Sequence, residues 1–169
     1  MSGRCAGKKR CICFVSMIVC VKRESGAESS AHHRKRGQDM DMIFRPIGFI
    51  RSPYDEIKET PKWGDESGDT EAELILEPRY EEGLADVSPG DRLTVVFCFH
   101  RSEGYELTVH IRGTGPLTGL FSTHSPRRPN PIGVSVITVK SMDGNRLVFT
   151  GVDMLDGTPV LDIKSYSTD

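Results

Sequence analysis

The stretch VSVITVKSMDGNRLVFTGV, residues 134–152, consists of two β-rich segments joined by a turn. Valine, isoleucine, threonine and phenylalanine recur in both segments, and these residue types fit a pleated, half-buried surface. The dipeptide Asp143-Gly144 between them is a strong short-range signal for a β-hairpin. The stretch therefore predicts two antiparallel strands, VSVITV (134–139) and RLVFTGV (146–152), in a fold made of short consecutive strands.

Similar segments come before this hairpin. FRPIGFI (44–50) and AELILE (72–77) are rich in β-forming residues. LTVVFCF (93–99) is apolar on both faces, which is typical of a central strand. YELTVHIR (105–112) alternates most regularly, and its four apolar side chains are predicted to share one face. These segments indicate a mainly β protein.

Helical and nucleotide-loop patterns are scarce. EEGLADV (81–87) is the one segment with a helical pattern, and Ser88-Pro89-Gly90 ends it. GTGPLTG (113–119) resembles a glycine-rich phosphate loop, but Pro116 interrupts it and a strand pattern follows, so we predict a plain connection. We therefore expect a small single-sheet β-barrel with one or two short helices and no Rossmann-type nucleotide site.

Charge is distributed unevenly along the 169 residues, whose formal net charge is −2. Residues 1–40 have nine Lys and Arg against three Asp and Glu, whereas residues 41–169 have 13 against 21. An acidic body argues against binding nucleic acid by bulk charge, so any RNA contact must be local. Cys98 is the single cysteine of residues 41–169, which excludes a disulfide framework there and predicts a reducing, cytoplasmic location.

Residues 1–40 differ from the rest of the chain. Their apolar run at 11–21 is too short to span a bilayer, and no clean signal-peptide cleavage site follows it. Four cysteines occur here without the paired spacing of a zinc site. We predict a disordered or spurious N-terminal extension at 1–40 and one domain at 41–169, without a bound metal. A signal or anchor segment, or metal binding by these cysteines, is the alternative.

Polar chemistry concentrates in HSPRRPNPIG (124–133). Pro129 and Pro131 fix their own φ angles and force the preceding residues, Arg128 and Asn130, into extended conformations. Such rigidity lowers the entropy lost on binding, and the adjacent Arg127 and Arg128 suit phosphate groups. The segment therefore predicts a binding loop, with a purely structural loop as the alternative.

Two other segments end strands in polar residues. His100 and Arg101 follow the central strand in FHRSEG (99–104), either in a pocket or in a strand-end salt bridge. VDMLDGTPVLDIKSY (152–166) contains a tight turn at Asp156-Gly157, where the carboxylate either holds a polar, partly cationic ligand or caps its own turn. No signature of covalent catalysis or metal-assisted hydrolysis occurs in the sequence.

SPRRPNPIGVS, FHRSEGY and GVDMLDGTPVLDIK, together with the upstream IGFIRSPY, resemble the TsaA/TrmO family of S-adenosylmethionine-dependent tRNA methyltransferases. The similarity covers residues 44–166 with the same order and spacing of motifs. The resemblance implies a non-Rossmann β-barrel methyltransferase that is a homodimer with no membrane association. It also implies a tRNA substrate, methylated on the exocyclic amine of a threonylcarbamoylated adenosine beside the anticodon.

The resemblance also assigns residues. It implies that S-adenosylmethionine is bound by residues from four segments, namely Pro61, Lys62, Trp63, His100, Arg101, His124, Val134, Leu155, Asp156, Gly157 and Thr158. His124 and His100 are the candidate bases, and Arg127, Arg128 and Asn130 are the candidate RNA contacts. The family usually has Gln where Trp63 stands, often Arg at His124 and Pro at Ser165, and usually a longer C-terminal part. Two alternatives stay open: a different RNA or small-molecule acceptor, or a non-enzymatic barrel that binds a nucleotide or RNA.

Overall fold

The chain folds around a closed antiparallel β-barrel, seen in a computed structural model that describes residues 19–20 and 42–167. The described strands are β1 (Val19–Cys20), β2 (Ile43–Phe44), β3 (Gly48–Arg51), β4 (Glu71–Leu76), β5 (Arg92–Cys98), β6 (Thr108–His110), β7 (Leu117–Gly119), β8 (Ile132–Asp143), β9 (Arg146–Thr150) and β10 (Pro159–Ser165). Four short 3₁₀ helices connect them, at Gly64–Ser67, Pro78–Leu84, Ile111–Gly113 and Leu120–Ser122. None of the helices in this part of the chain has the length and apolar character needed to cross a bilayer.

Six strands close the barrel in the order β10-β3-β4-β9-β8-β5. β8 and β9 form the predicted hairpin, with Asp143 opposite Arg146 across a two-residue loop. β5 pairs with β8 on one side and with β10 on the other, which makes it a central strand as predicted. The predicted barrel is therefore confirmed, and the predicted helix at 81–87 corresponds to the 3₁₀ helix Pro78–Leu84.

Alternate residues of the barrel strands point inward and form the core. Leu93, Val95 and Phe97 on β5 are buried, while Thr94 and Val96 between them are partly exposed. The same alternation occurs on β4 and β9, where Leu74 and Phe149 are fully buried. This period of two, which turns every second side chain inward, fixes the register because a slip by one residue would expose the core face.

The most regularly alternating segment of the sequence is not a barrel strand. Of YELTVHIR (105–112), only Thr108–His110 forms a strand, which pairs with β7 in a separate two-stranded ribbon. Leu107 is 62% exposed and Tyr105 56% exposed. The backbone leaves the strand after His110, where Gly115 donates to the carbonyl of Ile111. Alternation predicts a strand with one apolar face, but it does not identify what covers that face.

The predicted N-terminal extension lies mostly outside the described residues. The described pair Val19–Cys20 is antiparallel to Ile43–Phe44. The expectations of disorder, of a signal or anchor, and of metal binding by the cysteines of this segment stay predictions.

The segments that contain the predicted site residues lie at one end of the barrel. β3, β5 and β9 end there, and β4, β8 and β10 begin there, because neighbouring strands are antiparallel. The loops that follow or precede these strand ends include residues 52–63, 99–104, 124–131 and 151–158. We call this end the site rim.

Gly48 tests how tightly the barrel closes. A Cβ added there would lie 2.4 Å from the carbonyl oxygen of Ile75 and 2.9 Å from the Cα of Leu76, both backbone atoms that have little room to move. We expect Gly48→Ala to lower the free energy of unfolding by about 2 kcal/mol, as overpacked cores do. Gly83→Ala is the matched control, because nothing lies within 4 Å of its added Cβ. Equal urea midpoints for the two variants would contradict the expectation.

Candidate functional site

The turn at Asp156-Gly157 is built into the site rim by main-chain hydrogen bonds. The N–H of Asp156 donates to the carbonyl of Tyr54 (2.8 Å), and that of Gly157 donates to the carbonyl of Ile50 (2.9 Å). Gly157 has a φ of 74°, a conformation that favours glycine. The carboxylate of Asp156 accepts from the N–H of Ser52 at 3.1 Å, so it caps a neighbouring segment and not its own turn.

His100 and Thr158 meet at the rim. Thr158 is 3% exposed, and its hydroxyl oxygen lies 3.5 Å from Nδ1 of His100. Burial, followed by the positive charge of Arg101, lowers the pKa of His100 from 6.5, while the charge of Asp156 opposes the shift. The imidazole is therefore neutral at neutral pH, and one of its nitrogens has a lone pair that can accept a proton.

Arg101 connects the strand end to residues 52–55. Its guanidinium donates to the backbone carbonyl of Asp55. This contact differs from the strand-end salt bridge that the sequence left open, because the acceptor is a main-chain oxygen. The predicted site residues His100, Arg101, Asp156 and Thr158 are thus brought together in one part of the rim.

The rigid loop HSPRRPNPIG lies against the same strand end. The N–H of Phe99 donates to the carbonyl of Pro131 (2.8 Å), and the hydroxyl of Ser102 donates to the carbonyl of Pro126 (2.9 Å). Gly133 then enters β8 beneath aromatic rings, where a Cβ would lie 2.4 Å from the ring of Phe97. The loop is therefore fixed at both ends to the strand that carries His100.

Trp63 and His124 form a second pair. Their ring centroids are 4.7 Å apart and their planes meet at 79°, an edge-to-face contact. Trp63 is 44% exposed, so part of its indole remains accessible. The resemblance assigned both residues to the cofactor site, and the structure brings them into direct contact. Within residues 42–167, no hydrogen bond or ring contact joins this pair to His100 and Thr158.

A partly buried carboxylate, that of Asp153, lies near the segment that carries Trp63. Both oxygens of Asp153 accept from the hydroxyl of Ser135, at 2.7 and 2.8 Å, and the main-chain N–H of Gly64 opposes the rise in the pKa of this carboxyl that burial causes. Gly64 lies so close to Gly151 that a Cβ would be 2.3 Å from its carbonyl oxygen. The sequence did not predict the contact of Asp153 with Ser135, since the two residues are 18 positions apart in the chain.

Other predicted residues have different surroundings. Val134 is 59% exposed, and Asn130 and Lys62 are also exposed. The two arginines differ from each other: Arg127 is exposed, whereas Arg128 is half-buried and donates to carbonyls of its own loop. Their predicted roles in cofactor and RNA binding stay predictions.

A groove of about 630 Å³ opens beside the Asp156 turn. Its lining includes Asp55, Glu71, Glu73 and Asp156, with Arg51 as the one cation among the lining residues. A groove with four carboxylates and one cation in its lining suits a polar ligand with a cationic group. This agrees with the cationic ligand that the sequence suggested for the turn.

Comparisons with known proteins identify the family of the chain. Residues 49–169 match the tRNA-methyltransferase O N-terminal domain. The chain belongs to this family. The match includes the strand-end, rigid-loop and turn segments of the site rim, so the resemblance predicted from the motifs is confirmed.

Three relatives illustrate the TrmO family. A protein of Pyrococcus abyssi, named a probable S-adenosyl-L-methionine-binding protein, is 40% identical over 125 residues, which are 74% of this chain and 68% of the relative. The tRNA (adenine(37)-N6)-methyltransferase of Mus musculus is 32% identical over 136 residues, which are 76% of this chain and 32% of the relative. The crystal structure of TrmO from Pseudomonas aeruginosa superimposes with a TM-score of 0.65 at 32% identity, over 77% of this chain and 58% of the other. The chain thus spans little more than half of that solved structure and about a third of the mouse protein.

Asp153 gives a pH-dependent prediction. Burial raises the pKa of this carboxyl above 3.8, so the native state binds more protons than the unfolded state at pH values between the two pKa values. The free energy of unfolding then falls as pH rises through that interval. We expect the stability of Asp153→Asn relative to the natural protein to increase as pH rises through that interval, measured by urea unfolding at a series of pH values. Asp69→Asn, at an exposed site, is the control for the loss of one carboxylate. A difference between Asp153→Asn and the natural protein that stays constant with pH would contradict this account.

Proposed function

We propose that the chain is an S-adenosylmethionine-dependent methyltransferase that acts on the exocyclic amine of an adenosine next to the tRNA anticodon. The observation that carries the proposal is the family match over residues 49–169, which includes every segment of the site rim. The names of the Pyrococcus abyssi and Mus musculus relatives support the cofactor and the reaction respectively.

The residues of the rim fit this cofactor chemically. S-adenosylmethionine supplies a methyl group on a sulfonium sulfur, and the molecule also has an amine, ribose hydroxyls and an adenine ring. Carboxylates such as Asp156 accept from amine and hydroxyl groups, and the hydroxyl of Thr158 can donate or accept. The exposed part of the Trp63 indole can stack on an aromatic base. Pro61, Lys62, Val134 and Leu155 complete the proposed cofactor set.

The acceptor amine needs a base. We propose that the adenosine is threonylcarbamoylated, since a carbonyl substituent makes the attached N–H more acidic and allows a modest base to remove the proton. His100 is suited to this role because the lowered pKa keeps its imidazole neutral. His124 is the second candidate, because it lies at the rim in contact with Trp63.

The rigid loop HSPRRPNPIG is the proposed RNA-binding segment. Among residues 42–167, Arg127 has no hydrogen-bond or ion-pair partner, so its guanidinium is available to a phosphate. Asn130 is exposed on the same loop. Because residues 41–169 are acidic overall, such binding is local and should weaken steeply with salt.

We propose a cytoplasmic homodimer. Exposed apolar side chains concentrate on the β6–β7 ribbon and its flanks, where Leu107, Leu117 and Phe121 are 62%, 62% and 75% exposed. A surface of this kind is typical of an interface. Sedimentation equilibrium that returns the 18.8-kDa monomer mass at every concentration would overturn the dimer, and recovery of the protein with membranes would overturn the location.

A binding protein without transferase activity is the second candidate. It is favoured by the name of the Pyrococcus abyssi relative, which specifies binding alone. Another RNA or a small molecule as acceptor is a further variant of the same cofactor site.

Nucleoside mass spectrometry distinguishes these functions. We expect tRNA incubated with the protein and S-adenosylmethionine to gain one methyl group on threonylcarbamoylated adenosine, and tRNA that lacks the carbamoyl group to gain none. Calorimetry with S-adenosylmethionine alone is the parallel measurement. Heat of binding without a methylated nucleoside would support the binding protein, and methylation of both tRNA forms would contradict the carbamoylated acceptor.

The two candidate bases are separated by substitution. We expect His100→Ala or His124→Ala to lower kcat by about 100-fold, the usual contribution of general-base catalysis, while the Kd for S-adenosylmethionine changes little. If His100 is the base, the acid limb of the pH–rate profile lies below pH 6.5, because its folded-state pKa is lowered from that value. His110→Ala, on the ribbon, is the control and should retain the full rate. Full rates for both rim variants would show that neither histidine is the base.

A further inference from the structure

Arg127 and Arg128 are adjacent in sequence but have different surroundings. Arg127 is exposed, whereas Arg128 is half-buried. Nη1 of Arg128 donates to the carbonyl of Thr123 at 2.8 Å and lies 3.5 Å from the carbonyl of Ser125. These two carbonyls belong to the residues on either side of His124. The guanidinium therefore bridges the backbone around a candidate catalytic histidine.

Further contacts hold the same short segment. The hydroxyl of Thr123 donates to the carbonyl of Leu120 (2.8 Å) and accepts from the N–H of Ser125 (3.3 Å). The guanidinium carbon of Arg128 lies 5.8 Å from the centre of the Phe121 ring. This distance is just within the limit of about 6 Å for cation–π attraction. Nη1 of Arg128 thus bonds to the backbone of its own loop, whereas Arg127 is exposed.

His124 depends on this support. Among the described residues, no group forms a hydrogen bond with its imidazole, and its one recorded ring contact is the edge-to-face contact with Trp63. The position of the ring is therefore set by the backbone on either side and by Trp63. Carbonyls bonded by a charged donor are held more firmly than carbonyls bonded by a neutral one.

We propose that Arg128 is a positioning residue, which fixes His124 against Trp63 by bridging the carbonyls of Thr123 and Ser125. This replaces the phosphate contact that the sequence suggested for Arg128 and leaves that role to Arg127. The consequence for catalysis rests on the proposed function, because it requires His124 to act at the methyl-transfer site. The structural part of the proposal does not require it.

Two variants and one control test the proposal. Arg128→Ala removes the bridge, and Arg128→Lys retains a charge with several donors. Arg127→Ala removes the exposed neighbour. The first measurement uses the protein without ligands and records the nuclear Overhauser cross-peaks between the His124 imidazole and the Trp63 indole. We expect Arg128→Ala to lose these cross-peaks, Arg128→Lys to restore them in part, and Arg127→Ala to leave them unchanged.

The second measurement is tRNA affinity at several salt concentrations. A lost phosphate contact reduces the slope of log Kd against log salt concentration by about one. We expect this reduction for Arg127→Ala and an unchanged slope for Arg128→Ala. In turnover assays we expect Arg128→Ala to lower kcat by about 10-fold with little change in KM for tRNA, as displacement of a reacting group does.

Two results would overturn the proposal. One is a complete set of His124–Trp63 cross-peaks in folded Arg128→Ala, and the other is a slope reduced by about one in that variant. If Arg128→Ala does not fold, Arg128→Lys gives the cross-peak comparison, and cross-peaks of full intensity in that variant would count against the proposal. If tRNA is not methylated at all, the proposed function fails, but the cross-peaks still decide whether Arg128 positions His124.

Discussion

The pairing of β10 with two strands at once is the constraint on which the structure depends. Val160 lies opposite Gly48 on β3 and opposite Phe97 on β5, and it is fully buried. This pairing closes the barrel, because β3 and β5 do not pair with each other and β10 joins them on this side of the sheet. It also sets the start of β10 beside the end of β5, so the Asp156 turn and His100 become neighbours although 56 residues separate them in sequence.

Close backbone approach is the second constraint. Gly48, Gly64 and Gly133 each lie where a Cβ would be within 2.5 Å of another atom. Each of these contacts fixes one element: strand β3 on β4, the Trp63 segment on Gly151, and the end of the rigid loop under Phe97. The prolines of HSPRRPNPIG restrict the φ angles of the loop, and the close contact of Gly133 with Phe97 fixes where the loop ends.

The sequence predicts what depends on local pattern and not what depends on distant partners. The hairpin β8–β9 and the central strand β5 were predicted because alternation, apolar runs and turn residues act over a few positions. The same reasoning predicted too long a strand at YELTVHIR (105–112). The alternation covers all eight residues, but only Thr108–His110 forms a strand. The contacts of Trp63 with His124 and of Ser135 with Asp153 join residues far apart in sequence, and no periodicity reports such contacts. The family motifs indicated which segments form the rim, but not which side chains touch each other within it.

The Asp156 turn is held mainly through its main chain, with the N–H groups of Asp156, Gly157 and Thr158 all bonded to backbone carbonyls. Side chains elsewhere on the rim can therefore change without displacing it. The wall formed by Trp63 and His124 is different, because side-chain packing places it. A substitution at Trp63 or His124 can therefore reshape that part of the rim while the Asp156 turn keeps its conformation.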